Sequence, residues 1–158
     1  MFLLIFYFFY DIMLIGGKNM ISTRGRYALR VMIDIAENSD GKYVRLDEIA
    51  KRQEISEKYL ESIVVLLTRA NFLIGVRGKG GGYKLVKSAD KYTVKDILEA
   101  TEGSLSPVAC LKDDSFNCPR QSFCKTLPLW KGLEKTVGDY LSSITLADLS
   151  TNADDFII

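Results

Sequence analysis

Histidine is absent from this 158-residue chain. The commonest general base and the commonest metal ligand are therefore missing. No conspicuous pair of carboxylates stands in for them, so catalysis has few candidates and the chain does not read as an enzyme. Cysteine is scarce and confined: Cys110, Cys118 and Cys124 all lie in "CLKDDSFNCPRQSFC", residues 110–124. An odd count does not make a disulfide framework, and nothing marks the chain as secreted, so a cytoplasmic location is expected. The paired C-x2-C spacing of structural zinc is missing too. No unbroken apolar run reaches the roughly 20 residues that a membrane helix needs. Internal repeats and low-complexity tracts are also lacking.

The most apolar stretch, "MFLLIFYFFYDIMLI", opens the chain and is interrupted by Asp11. No basic residue precedes it and "IGGKN" is a poor cleavage site, so it does not read as a signal peptide. "GGKNM" back-translates, with common codons, to a bacterial ribosome-binding site just ahead of a start codon. Translation is therefore expected to begin at Met20, with residues 1–19 an untranslated leader or, if translated, an apolar extension.

Net charge is +1, but it is unevenly spread. Residues 18–95 hold 16 Lys+Arg against 9 Asp+Glu, and residues 96–158 hold 5 against 10. A basic first part joined to an acidic second part suits a polyanion-binding module with an appended unit. The division expected is 20–92 for a DNA-binding domain, 93–149 for a cysteine loop and long helix, and 150–158 for a flexible tail.

The pattern is mainly α with one small β-hairpin. From Thr23, the residues Ala28, Val31, Met32, Ile35 and Ala36 form one apolar helical stripe, which "NSDGK" ends. A short helix is expected over Leu46–Gln53. After "EIS", Ser56 is placed to cap a second helix that buries Leu60, Ile63, Val64 and Leu67 and stops at a left-handed Asn71. "FLIGVRGKGGGYKLV", residues 72–86, reads as a hairpin with a glycine-rich tip. Thr93 and Asp96 form a capping box for a helix to about Thr101. Trp130, Leu133, Val137, Tyr140, Leu141 and Ile144 then recur at helical spacing.

Two short helices joined by a tight turn and followed by a hairpin describe a winged helix-turn-helix. Lys58, Tyr59 and Glu61 would then face or border a major groove, with Ser56 at the helix start and Arg26 and Arg45 close by. In "VRGKGGGYKL", Arg77 and Lys79 charge the tip, Gly80 and Gly81 shape it, and Tyr83 follows. The motif lacks a P-loop's Gly-Lys-Ser/Thr ending and lies between strands rather than before a helix. For the cysteines, chemistry alone leaves three options open, with an iron–sulfur cluster ahead of a thiol switch and zinc last. A cluster or metal carrier, or a small redox protein, is the rival from another class.

Together these stretches resemble the bacterial winged-helix regulators that include IscR, NsrR and CymR. The resemblance rests on "STRGRYALR" (22–30), "YLESI" (59–63), "VRGKGGGYKL" (76–85), the cysteine triplet, and "LW" with "ITLADL" (129–130, 144–149). It implies a transcriptional repressor, a homodimer on a double-stranded DNA operator, not associated with membranes. The helix over 127–144 would pair the subunits through Trp130, Leu133, Val137, Tyr140, Leu141 and Ile144. It also implies an iron–sulfur cluster on Cys110, Cys118 and Cys124, [2Fe-2S] ahead of [4Fe-4S], reporting cluster supply, redox state, nitric oxide or iron. CymR-like members lack a cluster and sense through a partner. In IscR-like members the glutamate matching Glu61 disfavours one class of operator until the cluster is bound. Neither familiar fourth ligand is present: Leu127 stands where some members have histidine, and Arg26 where others have an acidic residue. Asp113, Asp114 or an exogenous ligand remain as candidates. Glu54 occupies a turn position that such motifs often fill with glycine.

Overall fold

The computed structural model describes residues 20–112 and 118–151. The expected leader, Asp113 and Asp114, and the tail beyond Thr151 lie outside the described residues.

Helix α1 runs Thr23–Asn38 and is started by Ser22, whose hydroxyl accepts from the Arg24 amide. Its expected stripe is its buried face, with Ala28, Val31, Met32 and Ile35 fully enclosed. Asp40 and Gly41 turn the chain through positive φ. Helix α2, Leu46–Gln53, ends on Glu54 in the left-handed conformation (φ 55°, ψ 42°), and the Ile55 amide donates back to the Ala50 carbonyl at 3.1 Å. A left-handed non-glycine residue costs about 1 kcal/mol, which the packing of Ile55 into the core offsets. Helix α3, Glu57–Arg69, buries Leu60, Ile63, Val64 and Leu67 as its spacing predicts. Ser56 holds the N-cap position, but its side chain makes no capping hydrogen bond. Asn71 ends the helix segment at φ 59°.

Strands β1 (Leu73–Val76) and β2 (Gly82–Leu85) pair antiparallel, Leu73 with Leu85 and Val76 with Gly82. Val44 joins them by exchanging both backbone hydrogen bonds with Tyr83, each 2.8 Å. Helix α4, Val94–Glu102, carries the expected Thr93–Asp96 capping box. Helix α5, Leu127–Ser143, has Pro128 in its first turn, where a missing N–H costs nothing. A further short helix, α6 (Leu146–Thr151), follows. Its start is a second box, with the Thr145 amide donating to Asp148 and the Asp148 amide donating to Thr145.

Two apolar cores hold these pieces. The larger gathers α1, α2, α3 and the base of the hairpin, and takes in Tyr92, Ile97 and Leu146. The smaller joins Val94, Leu98, Leu105, Leu141 and Ile144, with Met20, Ile21 and Val137 at its edge. Ile97 and Leu146 thus reach across the expected 92/93 boundary into the first core. No helix among the described residues is long and apolar enough to cross a membrane.

Candidate nucleic-acid interface and cysteine segment

Packing one face of α3 into the core leaves the other outward, and Glu57, Lys58, Glu61 and Ser62 are all exposed on it. The hairpin stands beside this face as a wing. Its tip turns at Gly78 (φ 95°) and Gly80 (φ 78°), and the Gly81 amide donates to the Gly78 carbonyl at 2.9 Å. Arg77 and Lys79 project from this turn into solvent. Between α3, the start of α2 and the wing lies an open groove of about 550 Å³, lined by Arg45, Asp47, Glu57, Glu61, Arg77 and Tyr83 among others.

The groove is mixed in charge. The Arg45 guanidinium donates to both Asp47 oxygens, at 2.9 and 3.2 Å. That fork and the attraction of the pair hold the Asp47 carboxyl below its ordinary range. Glu61 has no such partner among the ion pairs of the described residues. A carboxylate here repels phosphate and accepts from a base-edge donor such as cytosine N4.

The expected interface residues separate by role. Arg77, Lys79, Lys58 and Glu61 are exposed on the wing and α3, and Ser56 offers a hydroxyl not spent on capping. Gly80 lies in the tip turn. Gly81 is buried, and a Cβ there would lie 2.2 Å from the Val76 carbonyl oxygen. The missing side chain lets the hairpin tip close this tightly. Tyr83 anchors the wing through Val44, with its ring over Gly75, and also lines the groove. Arg26 lies on the exposed side of α1, donating to the Thr23 hydroxyl at 3.0 Å.

A supporting network went unread in the sequence. Tyr59 meets Tyr27 of α1 edge-on, ring centroids 5.8 Å apart, and the Arg30 guanidinium sits 5.2 Å over Tyr27. Arg30 also donates to the Gln53 side chain at 2.9 Å and to its carbonyl. The Gln53 amide donates to Asp34 at 2.9 Å, and Arg52 donates to both oxygens of that carboxylate, which is 1% exposed. These contacts fasten the turn between α2 and α3 onto α1. An acidic residue set among buried positions of an apolar helix was the available sign.

Away from the wing, residues 103–126 carry the cysteines between α4 and α5. All three are free thiols and half-buried. Cys124 precedes α5, with the Thr126 hydroxyl 3.4 Å from its sulfur. That hydroxyl, the Thr126 and Leu127 amides and Arg120 bring the Cys124 thiol below its ordinary value. Thiolate is the form that binds iron or zinc, so the donor chemistry fits such a group. The described residues nonetheless bring no three potential ligands around one point. The segment is tethered near its start. Ser106 donates to Glu134 of α5, and Glu102, 4% exposed, accepts from the Ser22 amide and hydroxyl at 2.8 and 2.7 Å and from the Gly25 amide at 3.1 Å.

The expected pairing residues of α5 also divide. Leu133 and Tyr140 are 42% and 45% exposed, and so is their neighbour Leu129 at 62%. Trp130 and Val137 are half-buried. Leu141 and Ile144 are already buried in the smaller core, against α4 of their own chain. Each keeps 9% of its surface exposed.

Comparison with known proteins agrees with this architecture. The family described as Rrf2, iron-dependent transcriptional regulator, matches residues 21–152. The regulator IscR of Erwinia tasmaniensis is 35% identical over 138 residues, spanning 87% of this chain and 82% of its own. The solved structure of CymR, the global cysteine regulator of B. subtilis, superposes with a TM-score of 0.68 at 36% identity, covering 85% of this chain and 98% of that one. The structure of T. potens IscR gives 0.68 at 31% identity, covering 90% and 93%. Relatives of this kind are regulators rather than enzymes, and the rival reading of a small redox enzyme gives way to them. With its winged helix and its match over residues 21–152, the chain belongs to the Rrf2 family of DNA-binding transcriptional regulators.

Proposed function

We propose that this regulator acts as a homodimer whose hold on an operator is set by the cysteine segment. One observation carries the reading. The three thiols follow a short stretch that is hydrogen-bonded both to the start of α1, through Glu102, and to α5, through Ser106. A change in that segment has a path to both the reading head and the pairing helix.

On DNA, the exposed face of α3 would enter the major groove, with Lys58 and Tyr59 at its edge and Glu61 toward the bases. Arg77 and Lys79 would reach backbone or minor groove, and Arg26 and Arg45 would meet flanking phosphates. Leu129, Leu133 and Tyr140 would pair with a second copy, placing two heads about one helical turn apart. Repression by occupying a promoter is the mode that this arrangement serves.

At the sensor, Cys110, Cys118 and Cys124 would hold an iron–sulfur cluster, preferentially [2Fe-2S]. Such a group supplies sensitivity to redox state, nitric oxide or iron supply. The protein's own share is thiolate at Cys124, promoted by Thr126, and a polar setting that leaves the sulfurs accessible. The identity of IscR proteins among the relatives supports the cluster, and CymR among the solved structures supports the alternative of a cluster-free thiol switch. An absorption spectrum of protein purified without oxygen, with iron and acid-labile sulfide counted per chain, separates them. Visible absorption with matched iron and sulfide is expected. A colourless protein that stays so after anaerobic reconstitution moves sensing to thiol oxidation.

A further inference from the structure

Tyr92 is 2% exposed, yet its hydroxyl is fully employed. It accepts from the Lys87 amide at 2.7 Å and donates to the Phe72 carbonyl at 3.2 Å. Phe72 immediately precedes β1, and Lys87 lies just past β2, so one phenol straddles the base of the wing. The Phe72 ring meets the Tyr92 ring edge-on at 5.3 Å. The backbone around Tyr92 faces the other way. Its carbonyl accepts from the Leu146 amide at 2.9 Å, and the Val94 amide donates to the Ile144 carbonyl at 2.9 Å. Thr93 and Thr145 pair between them as an isolated bridge. Residues 144–146 are the ones that leave α5.

We propose that Tyr92 is a strut between the end of the long helix and the base of the wing, and so a positioning residue for DNA binding. The proposal rests on the reading that the wing touches DNA. A two-stranded hairpin is marginal by itself and takes its orientation from its attachments. Besides the packing of its base into the larger core and the bond from the Phe72 amide to the Leu67 carbonyl at 2.9 Å, two polar ties flank this one: the Val44–Tyr83 pair along its side and the Tyr92 hydroxyl across its base. The Val44–Tyr83 pair ties the wing to the segment before α2. The Tyr92 hydroxyl ties it to the element that would carry the partner subunit, and so relates each wing to the other in a dimer. Phenylalanine would fill the same space. The hydroxyl earns its buried place only by holding two backbone groups that flank the hairpin.

The test is a double-mutant cycle read by fluorescence anisotropy on the full-length protein. The probe is a labelled duplex of about 30 base pairs, long enough for two half-sites, drawn from a random pool by selection on the wild type. Tyr92→Phe is compared with the wild type and with Arg77→Ala/Lys79→Ala, alone and combined. Tyr92→Phe is expected to weaken binding about five- to tenfold and to make the salt dependence shallower, because fewer phosphate contacts are held in place. In the Arg77→Ala/Lys79→Ala background it should add less than about twofold, since nothing is left to position. Lys87→Pro removes the same hydrogen bond from the exposed wing side, leaves the core untouched, and should behave alike. Equal weakening in both backgrounds, or unchanged affinity and salt slope in either single variant, overturns the strut. An affinity indifferent to Arg77→Ala/Lys79→Ala instead removes the wing from the interface, a failure of the underlying reading that the same data set distinguishes.

Discussion

Glu102 places a buried carboxylate at the joint between α4 and the cysteine segment. Burial pushes its carboxyl upward, but the Ser22 hydroxyl and amide, the Gly25 amide and Arg24 together outweigh that and bring it below its ordinary value of 4.5. A group whose folded value is depressed adds stability that is fully present above its unfolded value and is lost as pH falls through the folded one. Denaturant unfolding followed from pH 7 down to about pH 3 should therefore show stability falling below about pH 4.5. Glu102→Gln should be less stable at pH 7, by about 1–2 kcal/mol, and should show a flatter acid limb. Parallel acid limbs for both proteins would show that Glu102 contributes nothing across that window. The residue also accounts for part of the "STRGRYALR" stretch: a Cβ on Gly25 would lie 2.5 Å from the Glu102 oxygen, so the helix start is shaped to admit that carboxylate.

At the scale of elements, the wing depends on a close approach. A Cβ on Gly82 would lie 2.2 Å from the Val44 carbonyl oxygen, where the third segment joins the hairpin. Gly82→Ala should displace Val44 from Tyr83, lower the unfolding midpoint, and expose the Tyr83 and Val44 amides to rapid hydrogen exchange while α1 stays protected. Protection unchanged at those two amides would contradict the proposed attachment. The same scale shows what local chemistry makes legible. The first four helices and the hairpin could be read because their signals are local: apolar spacing, a capping box at Thr93–Asp96, glycines at the tip, Asn71 at a helix end. Helix α6 is hidden within the stretch expected as long helix and tail, since its six residues are too few to show a period. Its Thr145–Asp148 box was the one sign. Glu54 adopts the left-handed turn that glycine often supplies, because the core contact of Ile55 outweighs the backbone cost. The stripe on α5 was visible, but periodicity does not say what covers it. Leu141 and Ile144 meet α4 of the same chain, a contact made by residues far apart in sequence. The Tyr92, Glu102 and Asp34 contacts were hidden for the same reason.

For the whole molecule, the exposed run of Leu129, Leu133 and Tyr140 on α5 would be the pairing surface of the proposed dimer. Leu133→Lys should convert a dimer to a monomer by analytical ultracentrifugation, with helical content unchanged because that side chain packs on nothing in its own core. A variant that sediments like the wild type would move pairing to another surface. Loss of pairing should also weaken DNA binding steeply, since two linked heads bind far more tightly than one.

Whether the state of the cysteine segment sets the hold on DNA is read from one comparison of affinity: anaerobically purified protein against the same sample after iron removal by a chelator under reducing conditions, on a duplex selected by the wild type. The two dissociation constants should differ by about tenfold or more, as for couplings of roughly 1–3 kcal/mol between sites, and Cys110→Ala should lock the protein at the iron-free value. Equal constants, with Cys110→Ala indistinguishable from both, would contradict it and leave a winged-helix DNA-binding protein whose cysteines do not govern its binding.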